Sequence, residues 1–335
     1  MLSDEILRDF DGRNVVVTGG TGMVGRAVVE ILVNAGAKVR VVSLDRIAAA
    51  AGAEFVFGDL CDFGFCKSVT ADADYVFHIA GIKGSIEVTK SRPATFFVPL
   101  LMMNTNLLEA CRINKVRKAV YTSSIGAYAA GEVLTESASL DEDFKGPPMD
   151  TYPGWAKRMA ELQVQAYGIE HGTNNIAVVR LCNVYGPGDN FDPDNAMVVP
   201  SLMARIRAGE RPLRIWGDGS AIRDFAYSVD VAKGVILALH HGTGGGYVNL
   251  ASGAGISIRQ LVETLAQVTP FEYEFDASKP AGFPRRIMDV TLAGKMLGYH
   301  PETSLHDGLR ATWDWYLANE KEYLARQNYF AEVAR

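Results

Sequence analysis

The strongest periodic signal lies near the start of the chain. Asn14 to Thr18 (NVVVT) is a run of β-forming residues that enters a glycine-dense turn, and from Met23 onward apolar residues recur at helical spacing until Gly36 ends them. This predicts strand, tight turn, helix. Lys38 to Val42, Glu54 to Phe57, Asp74 to Ile79, Lys118 to Thr122 and Asn175 to Leu181 read as further strands, with long helices at 95–114 and 153–171 between the later ones. Leu2 to Phe10 reads as a short amphipathic helix ahead of the first strand. Parallel strands need crossover helices, so this order implies an α/β fold with a doubly wound parallel sheet covered on both faces.

Past residue 183 the pattern loosens. Helices at Met197 to Ala208, Val229 to His240, Ile258 to Val268 and Ser304 to Asn319 alternate with short strands such as Leu213 to Trp216 and Tyr247 to Leu250. The expected division is a dinucleotide-type sheet domain over 1–182 plus about 226–252, and a smaller α/β substrate lobe over 183–225 and 253–335.

Composition narrows the classes. A chain of 335 residues with 48% hydrophobic content supports a substantial core. A net charge of −6 without a concentrated Lys/Arg tract argues against nucleic acid as a partner. No apolar run reaches about 18 residues, and the opening MLSDEILRDF carries acids where a signal peptide is basic and then apolar. A cytoplasmic protein with no membrane partner is expected. Cys61, Cys66, Cys111 and Cys182 form no C-x-x-C pair and lie near no histidine cluster, so they read as reduced, mostly buried thiols, and no metal is expected.

The glycine turn carries the first chemistry. Gly19, Gly22 and Gly25 follow a G-x-x-G-x-x-G spacing in which the first permits the tight turn, the second lets backbone approach a phosphate and the third lets helix pack on strand. The helix start then offers unpaired N–H groups and a positive dipole end to a pyrophosphate. With Thr21, Met23 and Val24 these residues form the candidate dinucleotide cradle. Ser43, Asp45 and Arg46, after the second strand, would meet the adenosine ribose. A carboxylate there favours the 2′-hydroxyl of NAD, whereas Ser plus Arg suits the 2′-phosphate of NADP, and the balance leans to NAD. Asp59, beside Leu60, is placed to accept from an adenine amino group. Ala80, Gly81 and Lys83 continue the cofactor path, and His78 reads as a core histidine.

Nicotinamide chemistry at an alcohol carbon needs a proton acceptor, a group that tunes it and a donor that orients the oxygen. Ser123 and Ser124 end a strand at the right edge of the sheet. Lys157 lies early in the next helix, where an ammonium can hold the nicotinamide ribose and lower the pKa of a neighbouring phenol.

The glycine pattern, Asp59, the serine pair, the helix with Lys157, and Arg180-Leu-Cys-Asn183-Val-Tyr-Gly-Pro-Gly resemble the extended short-chain dehydrogenase/reductase family, the nucleotide-sugar epimerases and dehydratases, with a Rossmann-type sheet. The similarity runs over almost the whole chain, and YGPGDNFDPDNAMVVPSLM, WGDGSAIRDFAYSVDVA and FDASKPAGFPRRIMDVTLAGKMLGYHPETSLHDGLRATWDWY resemble the GDP-sugar members. The resemblance implies an NAD(P)-dependent oxidoreductase acting at carbon 4 of a nucleotide-diphosphate sugar, GDP-linked. It also implies a homodimer formed through the helices at 95–114 and 153–171. Arg223 matches the family's diphosphate-binding arginine, and Lys279 falls where related enzymes have another basic ligand, with Arg285 and Arg286 nearby. Asn183 and Val199 complete the substrate side. Trp216 and Tyr227 read as core aromatics.

Departures from the family pattern bear on mechanism. Ile125 and Met197 stand where GDP-fucose synthases place a cysteine and a histidine for carbon epimerisation, so 3,5-epimerase chemistry is not expected. A 4-epimerase or 4,6-dehydratase is the alternative, the latter weakened because Ile125, Gly126 and Ala127 supply no acid. The family's basic tyrosine, four residues before the lysine and about 400° around a helix, is Pro153 here. Tyr152 becomes the candidate base, on the expectation that Thr151 or Tyr152 caps the helix and swings the phenol back toward the site. Ser124, Tyr128, a water or the substrate are the other proton carriers, and a catalytically silent binding protein is the remaining class.

Overall fold

A computed structural model describes residues 2–47, 50–82, 84, 86–131, 133–134, 146–192 and 195–319. The first half of the chain lays down α1 (Asp4–Arg8), β1 (Asn14–Thr18), α2 (Met23–Asn34), β2 (Lys38–Ser43), β3 (Glu54–Phe57), α3 (Phe63–Val69), β4 (Tyr75–His78), α4 (Ile86–Ser91), α5 (Pro93–Ile113), β5 (Lys118–Ser124), β6 (Val133–Leu134) and α6 (Thr151–His171). It is followed by β7 (Ile176–Leu181), β8 (Asn183–Tyr185), α7 (Val198–Arg207), β9 (Leu213–Trp216), β10 (Ile222–Tyr227), α8 (Ser228–His241) and β11 (Tyr247–Leu250). β12 (Gly255–Ser257), α9 (Ile258–Val268), β13 (Tyr273–Asp276), β14 (Arg285–Met288), α10 (Thr291–Leu297) and α11 (Leu305–Ala318) complete the order.

Seven strands form one parallel sheet in the order β3-β2-β1-β4-β5-β7-β11. The chain reverses its direction of progress between β1 and β4, which opens a crevice at the carboxyl ends of those two strands. Val15 to Thr18 are all buried, because helices cover both faces of a sheet of this kind. Pairing puts Thr18 opposite both Val42 and His78, so the residues that leave β1, β2 and β4 emerge side by side at the crevice.

A second assembly surrounds β10, which lies between β12 and β14, with β6 beyond β14 and β8 also paired to β10. A two-stranded piece, β13 with β9, completes it. Its own apolar cluster, including Tyr185, Phe191, Leu213, Leu261, Leu309 and Trp313, is separate from the cluster under the large sheet.

Several local expectations change. α6 begins at Thr151 with Asp150 at its N-cap, so Tyr152 already lies within the helix instead of capping it. Its end is as the sequence suggests, with Gly172 at φ 63°, a left-handed conformation that glycine adopts without strain. α3, β13, β14 and α10 are too short to show a period of their own. Trp216 is no core residue, for 65% of it is exposed on β9.

Candidate active site

The glycine turn is fixed by close backbone approaches. Gly19 has φ 67°, and a Cβ there would stand 2.8 Å from the Cα of Ala80 at the end of β4. A Cβ on Gly25 would drive into the Gly19 carbonyl oxygen, which is why α2 can start so close to β1. Gly22 is the N-cap of α2, and no side chain caps the first turn or places a carboxylate in it. Its N–H groups and positive end therefore remain available to an anion. Met23 and Val24 belong to that turn, with Val24 buried against the core.

Around the turn, Thr21 Oγ1 and Ser43 Oγ lie 2.8 Å apart, and the Ser43 oxygen accepts the Asp45 N–H at 3.0 Å. The Arg46 guanidinium lies 4.2 Å above the Phe57 ring. The exposed Asp59 accepts the Cys61 N–H at 2.9 Å, beside the buried Leu60. Lys83 falls outside the described residues. A dinucleotide thus finds an uncapped helix start, a phosphate-sized approach at glycine and polar groups at the ribose end, and the residues present fit it.

Beneath the crevice a buried polar chain sets the β4 exit. His78, 1% exposed, has Nε2 3.0 Å from Asn104 Oδ1 and Nδ1 2.9 Å from Thr18 Oγ1. Asn104 donates to the Tyr121 hydroxyl at 3.1 Å. Thr18 Oγ1 also accepts the N–H groups of Ile79 and Ala80, each at 3.2 Å. Burial, with Lys157 nearby, pushes His78 down to about 3, so the ring is neutral and acts as a strut that holds Ala80 against Gly19. It remains a core histidine.

Lys157 reaches this point from α6. Its Nζ donates to the Thr122 carbonyl at 2.7 Å, stands 5.0 Å over the Tyr121 ring, and would be 3.9 Å from a Cβ on Gly81. Burial lowers its pKa to about 8, opposed by Glu161 one turn further along the helix. Glu161 is itself engaged by the fully buried Arg180 through contacts of 3.0 and 2.6 Å, and that guanidinium lies 4.2 and 3.8 Å from the Tyr128 and Tyr247 rings. Tyr128 is buried and donates to Asn249 at 2.7 Å. Ser124, half-exposed, accepts the Gly126 N–H at 3.2 Å, while Ser123 is buried.

Tyr152 does not join this group. Its ring is 43% exposed and stands edge-on to Phe97 of α5 with centroids 6.1 Å apart. Among the described residues it makes no hydrogen bond or ring contact with Lys157 or Ser124. The reason is helical rotation, because a residue already inside the helix and five positions before Lys157 is turned about 140° from it.

On the far side, Arg223 of β10 pairs in register with Arg286 of β14, not with Arg285. Burial lowers both guanidinium pKa values, and Arg286 adds repulsion to Arg223. Arg286 lies 3.6 Å over Phe283, with its Nε lacking a hydrogen-bond partner among the described residues. Two adjacent guanidiniums, with the Asp150 carboxylate acting on Arg286, leave net positive charge at this edge, chemistry that suits an anion. Arg285 is exposed beside them, and it is Arg286 that stands in register with Arg223. Asn183 donates to the Asp224 carbonyl at 3.0 Å and is half-exposed. Val199 is buried in the second apolar cluster. Lys279 Nζ lies 5.9 Å over the exposed Trp216 ring.

Fold and site together define a dinucleotide-binding α/β enzyme. The chain belongs to the NAD dependent epimerase/dehydratase family, whose model matches residues 15–251. GDP-L-fucose synthase 1 of Arabidopsis thaliana is 35% identical over 253 residues, covering 73% of this chain and 77% of that protein. A dTDP-4-dehydro-6-deoxy-D-allose reductase of Streptomyces bikiniensis is 31% identical over 322 residues, covering 91% and 96%. A crystal structure of UDP-glucose 4-epimerase from Thermotoga maritima, with UDP-glucose, superposes with a TM-score of 0.79 at 27% identity, covering 92% of this chain and 99% of that one. Among the described residues, no helix is long and apolar enough to cross a membrane.

Proposed function

We propose that this protein is an NAD(P)-dependent oxidoreductase that changes the oxidation state of carbon 4 in a GDP-linked sugar, running as a reductase of the 4-dehydro sugar. The observation that supports this is the approach of Lys157 to Gly81 at the carboxyl end of β4, with Ser124 ending the neighbouring strand β5 and α2 starting uncapped after β1. The relative named as a 4-dehydro sugar reductase, and those named GDP-L-fucose synthase, supply the substrate class.

A bound nicotinamide supplies hydride chemistry that no side chain offers. The chain's own residues do the rest. Gly19 to Gly25 with α2 hold the pyrophosphate, and Asp45 and Ser43 meet the ribose, with NAD favoured by the carboxylate. Asp59, Leu60, Ala80 and Gly81 line the remaining path. Lys157 holds the nicotinamide ribose and presents positive charge to the carbon 4 oxygen, and Ser124 donates to that oxygen. Arg223, Arg286 and Lys279 take the diphosphate, with Asn183 beside it. The supporting lobe comprises 183–225 and 253–335, and the exposed faces of α5 and α6 suit a homodimer in the cytoplasm.

The test is to purify the protein, load it with reduced nicotinamide, add 4-dehydro and intact GDP-, dTDP- and UDP-sugars singly, and follow absorbance near 340 nm. Oxidation of the cofactor by a 4-dehydro GDP-sugar supports the reading. A changed sugar with no net cofactor change assigns a 4-epimerase or dehydratase instead, and binding without turnover assigns a silent homologue.

A further inference from the structure

With Pro153 carrying no proton and Tyr152 turned to Phe97, the phenol that would serve as acid is absent, which leaves only the Lys157 ammonium and the Ser124 hydroxyl at the site. Ile125, Gly126 and Ala127 add no acid, yet the fold brings a carboxylate to them. Asp150 is the N-cap of α6, a position where aspartate ordinarily accepts an N–H from the first turn; here its side chain makes no such bond. The carboxylate instead lies on Gly126, two residues beyond Ser124. A Cβ on Gly126 would collide with Asp150 Oδ2 and lie 2.9 and 3.0 Å from its Cγ and Cβ.

The approach is locked from both sides. The Asp150 N–H donates to the Gly126 carbonyl at 3.3 Å, the Gly154 N–H donates to the Asp150 carbonyl at 2.6 Å, and a Cβ on Gly154 would collide with the Gly126 carbonyl oxygen. Glycine at 126 and 154 thus lets the α6 start close on the serine turn, and the space a side chain at 126 would fill is taken by the Asp150 carboxylate. No hydrogen bond or ion pair engages that carboxylate among the described residues. Arg286, next to Arg223 on the substrate side, is the charged group that acts on it. The carboxylate therefore lies against the serine turn, within electrostatic reach of Arg286.

We propose that Asp150 is the acid/base residue of this site, supplied from the α6 cap in place of the phenol missing at 153. The inference rests on the oxidoreductase reading. In the reducing direction, hydride from the nicotinamide adds to carbon 4, the C=O π pair moves to oxygen, and the Asp150 O–H breaks to give that oxygen its proton. The sugar is reduced to the alcohol and the nicotinamide is oxidised. In reverse, the carboxylate takes the hydroxyl proton as hydride leaves. Desolvation of the carboxylate against the serine turn raises the Asp150 pKa, with Arg286 opposing, while the residue keeps an exposed edge from which it can meet a ligand.

The test compares wild type with Asp150→Asn and Asp150→Glu. Asparagine keeps size and polarity but carries no transferable proton, so kcat should fall at least about 100-fold, in the range of general acid–base catalysis. KM and the calorimetric Kd for the sugar nucleotide should stay within about threefold. Glutamate should restore part of kcat, and in Asp150→Asn the kcat profile should lose one titration. Unchanged kcat in Asp150→Asn, or a loss confined to KM and Kd, overturns the proposal.

A second readout does not depend on turnover. Calorimetry of the wild type binding GDP-mannose near pH 6, in buffers of different ionisation enthalpy, counts protons taken up as the carboxylate is enclosed with the sugar. Uptake in wild type but not in Asp150→Asn supports the proposal. Equal proton counts overturn it. If the wild type turns over no sugar nucleotide, the oxidoreductase reading fails, and this count still decides whether Asp150 exchanges a proton with a bound sugar.

Discussion

Two helices start at the same edge of the large sheet, and they are built in opposite ways. α2 begins on backbone: Gly19 and Gly25 are required by close approaches to Ala80 and to the Gly19 carbonyl, a Cβ on Gly22 would lie 3.3 Å from that same carbonyl oxygen, and no side chain caps the turn. α6 begins on side chains: Asp150 lies on Gly126, Tyr152 on Phe97, and Lys157 reaches back to Thr122. A backbone cradle tolerates almost any neighbours as long as the glycines stay. A side-chain site depends on rotation about the helix, so one residue's shift in where α6 starts changes which group faces the substrate.

The comparison is broken most severely at the glycine turn. Gly25→Val forces a Cβ into the Gly19 carbonyl, a strain above about 4 kcal/mol, and nicotinamide binding measured by fluorescence titration should vanish. At the α6 start, Lys157→Met should lower turnover by about 10²–10⁴-fold while the fluorescence titration still detects cofactor; loss of both would mean that the two helix starts are not separable. A smaller effect is the pH limb of Lys157. The ammonium is charged below its pKa of about 8 and loses its proton above it, so kcat/KM should fall as pH rises through about 8. Glu161→Gln should move that limb to lower pH, because Glu161 raises the lysine, and it should also lower stability, because it leaves the Arg180 charge without its carboxylate. Least affected should be Tyr152→Phe, with a rate within about threefold of wild type, or well under 1.4 kcal/mol; a tenfold loss would return Tyr152 to the chemistry.

The strand–turn–helix at Asn14 to Asn34 was legible because each of its signals is local: β-formers, glycine spacing and a 3.6-residue period. Lys157 was legible for the same reason, being one residue on a long helix. Arg285 and Arg286 were both legible as a basic doublet, but which of them stands beside Arg223 is decided by pairing between β14 and β10, some sixty residues apart in sequence. Asp150 was hidden more deeply. No local signal marks it in the sequence, and only the packing of α6 on the 124–126 turn brings its carboxylate against Gly126, two residues beyond Ser124. Trp216 was read as core because aromatic residues usually are, whereas β9 leaves its ring outside.

Two arginines also determine which part of this molecule is able to move. Arg158 is fully buried in α6, donates to the carbonyls of Ala127 and Gly146, and has its guanidinium 5.4 Å from the Trp155 ring. Arg180 on β7 grips Glu161 one turn further on. Breaking either leaves a charge stranded without water, at a cost of about 3–5 kcal/mol. α6 is in effect riveted to the sheet, so any closing stroke around a ligand falls to the elements carrying Arg223 and Lys279. Hydrogen exchange should show it: amides of α6 equally slow with and without sugar nucleotide, and the slowing on binding concentrated in 213–225 and 276–288.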